Sequence, residues 1–260
     1  LEAGAPEGLD VLAEIWDEGQ CRSIEADVES LRPLAEAGKL RPHTVDRTAM
    51  RSKYFFGHGY TYGPQISGRG MERILPPELI DPIPGWIYTK LIQRLEESQG
   101  VPRGWINSAV VNDYLEEGMI VSHIDPPHLF ARPIYIASFF ADGRLAFGAG
   151  FTFAERGRFS EEKSAPPRFV VGMPRGSLCR MDGFAANGIT HGIRPGDMDG
   201  RRASIVLRHV PPDAPRAAPA ELPAAAKGAV PSIPPRVAEV APQSFYGGVP
   251  RLQHLAVAAV

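Results

Sequence analysis

The sequence has little cysteine, almost no net charge and no long apolar segment. Two cysteines among 260 residues are too few for a disulfide framework, which predicts a reducing compartment. There is no run of about 18 apolar residues, so we expect no transmembrane helix and no membrane partner. A formal net charge of −2 argues against indiscriminate attraction to nucleic acid. No repeat of fixed period is present, which excludes solenoid and propeller arrays.

The remaining composition is typical of a soluble protein with one sizeable core. Hydrophobic residues make up 43% of the chain and charged residues 22%. The composition changes near residue 211, because 10 of the 26 prolines lie in 211–260 among many alanines. Such a stretch cannot bury enough apolar surface to offset the entropy of ordering it. We therefore predict a disordered Pro/Ala-rich tail over 213–260.

The periodicity of the apolar residues predicts a mainly β fold with flanking helices. Apolar residues recur at helical spacing in 12–37, as one helix or a pair, and again in 85–98. From residue 105 onward, short segments rich in Val, Ile and Phe alternate with turn residues. These predicted strands are 105–115, 119–125, 133–141, 145–153, 168–173, 176–181 and 201–210. Such a series indicates a sandwich or barrel with the helices against one sheet.

Basic residues are concentrated in one part of an otherwise neutral chain. Residues 1–40 carry ten acidic residues and three basic ones, whereas 41–73 carry six Lys/Arg and two acidic residues. The basic segment suggests steering of an anionic ligand to one face, and the alternative is an ordinary solvated surface.

A candidate metal site begins with a His-x-Asp pair. Residues two apart on a strand project to one face, so His123 and Asp125 converge on one point. Imidazole and carboxylate are two thirds of the facial triad of non-haem Fe(II) oxygenases. His191, in a glycine-flanked apolar segment, is the best candidate for the third ligand, since a buried imidazole needs a partner. A strand histidine without a ligand role is the alternative for each.

Two arginines near the end of the predicted domain suggest an anionic cosubstrate. Arg202 and Arg208 are six apart and share a strand face, which would be costly to bury unless an anion neutralises them. A dicarboxylate bound against the metal would do so through bidentate pairing. Asn112 and Tyr114 share a face of an earlier strand and offer an amide and a phenol to the same ligand. Surface arginines and a core tyrosine are the alternative.

This ordered set of residues resembles the AlkB family of Fe(II)- and 2-oxoglutarate-dependent dioxygenases. Two longer runs, RSKYFFGHGYTYG at 51–63 and NSAVVNDY at 107–114, look like its homologue 5 branch, the N6-methyladenosine RNA demethylases. The resemblance extends over roughly 17–215. It implies a double-stranded β-helix, or jelly roll.

The resemblance also implies the roles of the site residues. Fe(II) would be held by His123, Asp125 and His191, and no further residue would act catalytically. The resemblance assigns 2-oxoglutarate to four residues, Asn112, Tyr114, Arg202 and Arg208. Dioxygen is the remaining cosubstrate.

A lid over the nucleotide is implied for the region that matches 51–62. The basic and aromatic positions of this lid are Arg51, Lys53, Tyr60 and Tyr62. Cations interleaved with aromatics suit a single-stranded nucleic acid, because cations meet phosphates and rings stack on bases. A hairpin packed on the core is the alternative. In animal members of the branch a cysteine follows the distal histidine and pairs with another, whereas Gly192 stands here, so exclusion of duplexes is less secure.

The predicted function is therefore oxidative demethylation of N6-methyladenosine in single-stranded RNA, releasing formaldehyde, succinate and CO₂. Three alternatives stay open: an RNA-binding module without turnover, an oxygenase of another methylated base, or one of a protein side chain. We expect a helical support segment at 1–48, a dioxygenase domain at 49–212 with its lid at 49–75, and the tail. We also expect a monomer in the nucleus or cytoplasm, with the family favouring the nucleus.

Overall fold

The fold is seen in a computed structural model, which describes residues 4–47, 51–62, 68, 70–115, 118–154 and 158–218. The predicted tail lies outside the described residues except for 213–218. Parts of the predicted lid, at 49–50, 63–67 and 69, also lie outside them.

The chain folds into eleven strands, three helices and one short 3-10 helix, Pro77–Leu79, within these ranges. The strands are β1 Leu9–Leu12, β2 Val45–Arg47, β3 Arg51–Phe56, β4 Ser108–Tyr114, β5 Ile120–His123, β6 Ala131–Phe139, β7 Gly143–Phe147, β8 Phe169–Met173, β9 Leu178–Met181, β10 His191–Ile193 and β11 Arg202–His209. The helices are α1 Glu18–Glu36, α2 in three consecutive segments (Gly85–Ile87, a π-helical turn Tyr88–Ile92, and Gln93–Ser98), and α3 Gly183–Asn187. No helix in the described ranges has both the length and the apolar composition needed to cross a bilayer.

The strands form two antiparallel sheets, and the fold is a jelly roll. The larger sheet has the order β1-β9-β6-β11-β4-β3-β2, and the smaller has the order β5-β10-β7-β8. Apolar side chains of both sheets meet in one cluster that includes Ile136, Leu145 and Phe147, so the sheets pack face to face. The prediction of a mainly β jelly roll with flanking helices is confirmed.

Helices α1 and α2 cover the outer face of the larger sheet. The apolar stripe of α1 and that of α2 pack on outward side chains such as Val111 and Ile205. A capping box starts α1, because the Asp17 carboxylate accepts from the Gln20 amide at 2.8 Å and the Gln20 side chain accepts from the Asp17 amide at 3.0 Å. The predicted helix at 12–37 is thus one helix that begins later than expected.

The N-terminal segment supplies more than helical support. Its strand β1 pairs with β9 and its strand β2 pairs with β3, so the segment forms both edges of the larger sheet. Sequence patterning missed these strands because they have only four and three residues.

The predicted lid, residues 49–75, contributes partly to the hydrophobic core and partly to the wall of a pocket. Its first part, β3, is an inner strand between β2 and β4, and all six of its side chains are buried. Both faces of β3 are covered, since Tyr54 and Phe56 pack toward the helices while Phe55 packs on the opposite side. The family-implied lid therefore begins, in this chain, with a core strand.

Candidate functional site

The three predicted metal ligands lie together where the smaller sheet meets the first loop after β5. His123 ends β5 and pairs directly with His191, the first residue of β10. Their ring centroids are 4.5 Å apart. Ligand atoms of His123, Asp125 and His191 all lie within 4.8 Å of one another. No other group of three such residues occurs in the described part of the chain.

Hydrogen bonds orient two of these side chains, those of His123 and Asp125. The His123 Nδ1 lies 2.8 Å from the Val121 carbonyl oxygen, which leaves Nε2 for a ligand role. The Asp125 Oδ1 accepts from Arg208 Nη1 at 2.9 Å, and Oδ2 lies 3.8 Å from His191 Nε2. Each residue therefore directs one potential metal-ligand atom toward a shared point.

Electrostatics favour the metal-binding protonation states. Burial alone would raise the pKa of the Asp125 carboxyl, but the Arg208 guanidinium and the two histidines outweigh it and hold that pKa at about 2. Burial, and then the neighbouring His123, lower the pKa of His191 to about 3. Burial also lowers the pKa of His123. Two neutral imidazoles and one carboxylate are donors that suit Fe(II).

Arg202 is a buried cation on the inner face of the larger sheet. Its side chain is only 1% exposed, and burial lowers its pKa. Its Nη2 donates to Ser138 Oγ at 2.7 Å, while Nε and Nη1 have no hydrogen-bond partner. Burying a guanidinium group without an anion costs free energy. The unpartnered N–H groups of Arg202 are therefore suited to the carboxylate of a bound ligand.

Asn112 and Tyr114 lie beside this arginine on the neighbouring strand. Tyr114 is directly opposite Arg202 in the β4–β11 pairing, and Asn112 is opposite Ser204. The Arg202 guanidinium carbon is 6.0 Å from the Tyr114 ring centroid. The polar side chains predicted for one ligand therefore form a continuous patch.

Arg208 has a second role that the sequence did not indicate. Besides its bond to Asp125, its guanidinium lies 3.7 Å from the Phe130 ring centroid and 5.2 Å from that of Tyr60. It is therefore the counter-ion of a candidate metal ligand, with Nε and Nη2 left without a partner. The two arginines of β11 thus differ in their surroundings.

Arg51 and Lys53, on β3, line the same pocket as these residues and are shielded from solvent. Each is 5% exposed. Arg51 Nη1 donates to the Met119 carbonyl at 2.8 Å. Lys53 Nζ lies 3.4 Å from Asp46 Oδ2 and 3.6 Å from the Tyr62 ring centroid. Burial, and then the Arg51 cation, lower the pKa of Lys53 to about 7 although Asp46 opposes the change.

Tyr60 and Tyr62 form a half-buried aromatic wall. Their ring centroids are 5.4 Å apart, and Phe55 packs against both. The Tyr62 hydroxyl donates to the Asp46 carboxylate. Asp46 was not singled out from the sequence, because its partner is sixteen residues away in a different element.

One pocket, about 740 Å³ including its opening to solvent, brings all eleven predicted site residues together. They are Arg51, Lys53, Tyr60, Tyr62, Asn112, Tyr114, His123, Asp125, His191, Arg202 and Arg208. The remaining lining is mainly apolar.

Known proteins share much of this sequence. RNA demethylase ALKBH5 of Mus musculus is 45% identical over 204 residues, which are 78% of this chain and 50% of the relative. That of Xenopus tropicalis is 45% identical over 204 residues, 78% of this chain and 55% of the relative. Over this region the chain belongs to the AlkB family.

This AlkB-family chain matches only part of its relatives, and its similarity to a solved structure is weak. It spans about half the length of the curated relatives it matches. No protein-family model matches it. The solved structure of OsALKBH1 is 13% identical, covers 79% of this chain and 100% of its own, and has a TM-score of 0.48.

Both cysteines of this AlkB-family chain are free and buried. A side chain at Gly192 would begin 2.8 Å from the Ile120 carbonyl oxygen and 3.2 Å from the Phe151 ring. The strand at this position is therefore packed tightly against its neighbours without a cross-link.

Proposed function

We propose that the chain is an Fe(II)- and 2-oxoglutarate-dependent oxygenase that removes the N6-methyl group from adenine in single-stranded RNA. The observation that carries the proposal is the shared pocket, in which two neutral imidazoles and one carboxylate lie with a buried arginine that has no carboxylate partner among the described residues. The similarity to proteins named RNA demethylase supports the substrate class.

His123, Asp125 and His191 would hold the metal. Three protein ligands leave positions for 2-oxoglutarate and dioxygen. Iron, 2-oxoglutarate and dioxygen together supply the oxidation of a methyl C–H bond, with succinate, CO₂, formaldehyde and the demethylated base as products. The protein's contribution is placement of the reactants.

Arg202 would bind the distal carboxylate of 2-oxoglutarate. Its fork is fixed by the bond to Ser138 and presents unpartnered N–H groups to the pocket. Tyr114 and Asn112 offer a phenol and an amide beside it. Arg208 would keep Asp125 ionised and oriented, and its remaining N–H groups, which have no hydrogen-bond partner, would be available to the same ligand.

Tyr60 and Tyr62 would bind the flipped base by ring contacts, because a base can reach the pocket only outside a stack. Arg51 and Lys53 are buried in the pocket wall, so we assign them to the base and its surroundings rather than to outer phosphates. A monomeric state and a nuclear location stay predictions.

Mass spectrometry of a single-stranded RNA oligonucleotide containing N6-methyladenine tests the proposal. Incubation with Fe(II), 2-oxoglutarate and ascorbate should remove one methylene from the oligonucleotide mass. Arg202→Ala should prevent the loss, whereas Arg180→Ala is the matched control, since Arg180 is a half-exposed arginine of the same sheet paired with Asp182. A duplex of the same sequence should react more slowly.

Two outcomes would favour the alternatives. Tight binding of the methylated RNA without mass loss would indicate a binding module. Turnover of 2-oxoglutarate that ignores the RNA would indicate another base or a protein side chain as the substrate.

A further inference from the structure

Arg132, near the start of β6, connects the segment that carries Asp125 with the helix that precedes His191. Its Nη2 donates to the Asp125 carbonyl oxygen at 2.7 Å, and its Nη1 donates to the Phe130 carbonyl oxygen at 2.8 Å. Its Nε donates to Asn187 Oδ1 at 3.0 Å, and Nη2 also lies 3.4 Å from the Ala186 carbonyl oxygen. One guanidinium thus spans the loop after β5 and the end of α3.

The chain path explains why this connection matters. His123 and His191 are already opposite each other, because β5 pairs with β10. Asp125 follows β5 and lies outside that pairing. The residues that Arg132 contacts on α3 come only a few positions before His191. Arg132 therefore links the backbone of Asp125 to the segment that leads into His191.

The acceptors suit an arginine specifically. All four are neutral carbonyl or amide oxygens, so the contacts depend on the geometry of the donor more than on charge neutralisation. A guanidinium holds its N–H groups in one rigid plane, whereas an ammonium group is a compact point charge that cannot reach both segments in the same way. Arg132 does not line the pocket, so it would not touch a ligand there.

We propose that Arg132 is a positioning residue that fixes Asp125 relative to His191 and thereby sets the affinity of the site for a divalent metal. The inference rests on the proposed function, since it assumes that these ligands bind a metal. Groups that orient metal ligands in this way commonly change metal affinity about 10- to 100-fold when they are replaced.

Titration of the full chain with Co(II) tests the inference, because visible d–d absorption reports both affinity and ligand geometry. Arg132→Lys should weaken Co(II) binding about 10- to 100-fold and change the band shape at saturating Co(II). Arg41→Lys is the matched control. Arg41 also donates to two backbone carbonyls, those of Pro77 and Ile80 at 3.1 and 2.7 Å, outside the pocket. It should change neither affinity nor band shape.

Asn187→Ala provides a second variant at an exposed position. It removes the side-chain acceptor on α3 and leaves the bond from Arg132 to Asp125, so it should weaken Co(II) binding less than Arg132→Lys but in the same direction. Asn187→Ala alone tests the positioning role of Arg132 if Arg132→Lys does not fold. Wild-type affinity and spectrum in Arg132→Lys, or in Asn187→Ala where the arginine variant does not fold, would overturn the inference.

The Co(II) titration and the demethylation assay together distinguish a failure of this inference from a failure of the proposed function. A wild-type chain that binds Co(II) but removes no methyl group would refute the demethylase proposal and leave the role of Arg132 intact. A wild-type chain that binds no Co(II) would overturn both.

Discussion

Replacing the buried Lys53 should change how the stability of the protein depends on pH. Lys53 is 5% exposed, and its pKa of about 7 lies well below its ordinary value of 10.5. Burial is the largest cause, and the Arg51 and Arg208 cations act in the same direction against the Asp46 carboxylate. The Tyr62 ring lies over the Lys53 nitrogen, with its centroid 3.6 Å away.

The direction in which the free energy of unfolding changes with pH follows from the number of protons bound by the folded and the unfolded chain. Between pH 7 and 10.5 the unfolded chain carries a proton on this lysine while the folded chain does not. The free energy of unfolding therefore rises with pH through this window, and the stability is lost as the pH falls toward the folded pKa. The slope from one such group is about 1.4 kcal/mol per pH unit, so about 2 to 3 kcal/mol separates pH values that are about two units apart within the window.

Urea denaturation of the wild type and of Lys53→Met at several pH values from neutral upward measures this effect. Methionine keeps an unbranched side chain one heavy atom shorter than lysine and does not titrate, so the pH-dependent part of the difference between the two proteins isolates the lysine. Lys39→Met, at an exposed position, measures the general effect of removing a lysine charge. A difference between wild type and Lys53→Met that stays constant with pH would refute the reasoning.

Three further predictions concern the pocket. His191→Ala should lose both bound iron and demethylation, and normal iron content with normal turnover would show that the triad is assigned wrongly. Arg202→Lys should raise the Michaelis constant for 2-oxoglutarate in steady-state assays, because an ammonium group cannot pair bidentately, and an unchanged constant would move the anchor elsewhere. Tyr60→Ala and Tyr62→Ala should each weaken RNA binding by about 1–3 kcal/mol in fluorescence anisotropy while 2-oxoglutarate affinity is kept, and unaltered RNA binding would exclude stacking on these rings.

The period of a β-strand explains why the pocket could be predicted from the sequence. Side chains two apart share a face, so the same-face placement of Asn112 and Tyr114, and of Arg202 and Arg208, followed once the strands were recognised. The family resemblance then ordered these strands around one site. The polar residues of inner strands are informative because they can be buried only beside a partner or a ligand.

Other parts of the site could not be predicted, because they depend on tertiary pairing. Strand β3 has both faces buried, so it shows no alternation of polar and apolar residues and resembled a basic and aromatic lid. Asp46 and Arg132 act through contacts with elements distant in the chain, at Tyr62 and Asn187. Nothing in the local sequence of either residue indicates its partner.

The most direct test of the central claim is to count succinate against methyl groups lost from one sample. Single-stranded RNA containing N6-methyladenine is incubated with the protein, Fe(II), 2-oxoglutarate and ascorbate, and both products are quantified by mass spectrometry. The proposed function predicts one succinate for each methyl group lost and neither product from Asp125→Ala. Methyl loss without succinate, or RNA binding with neither product, would contradict it.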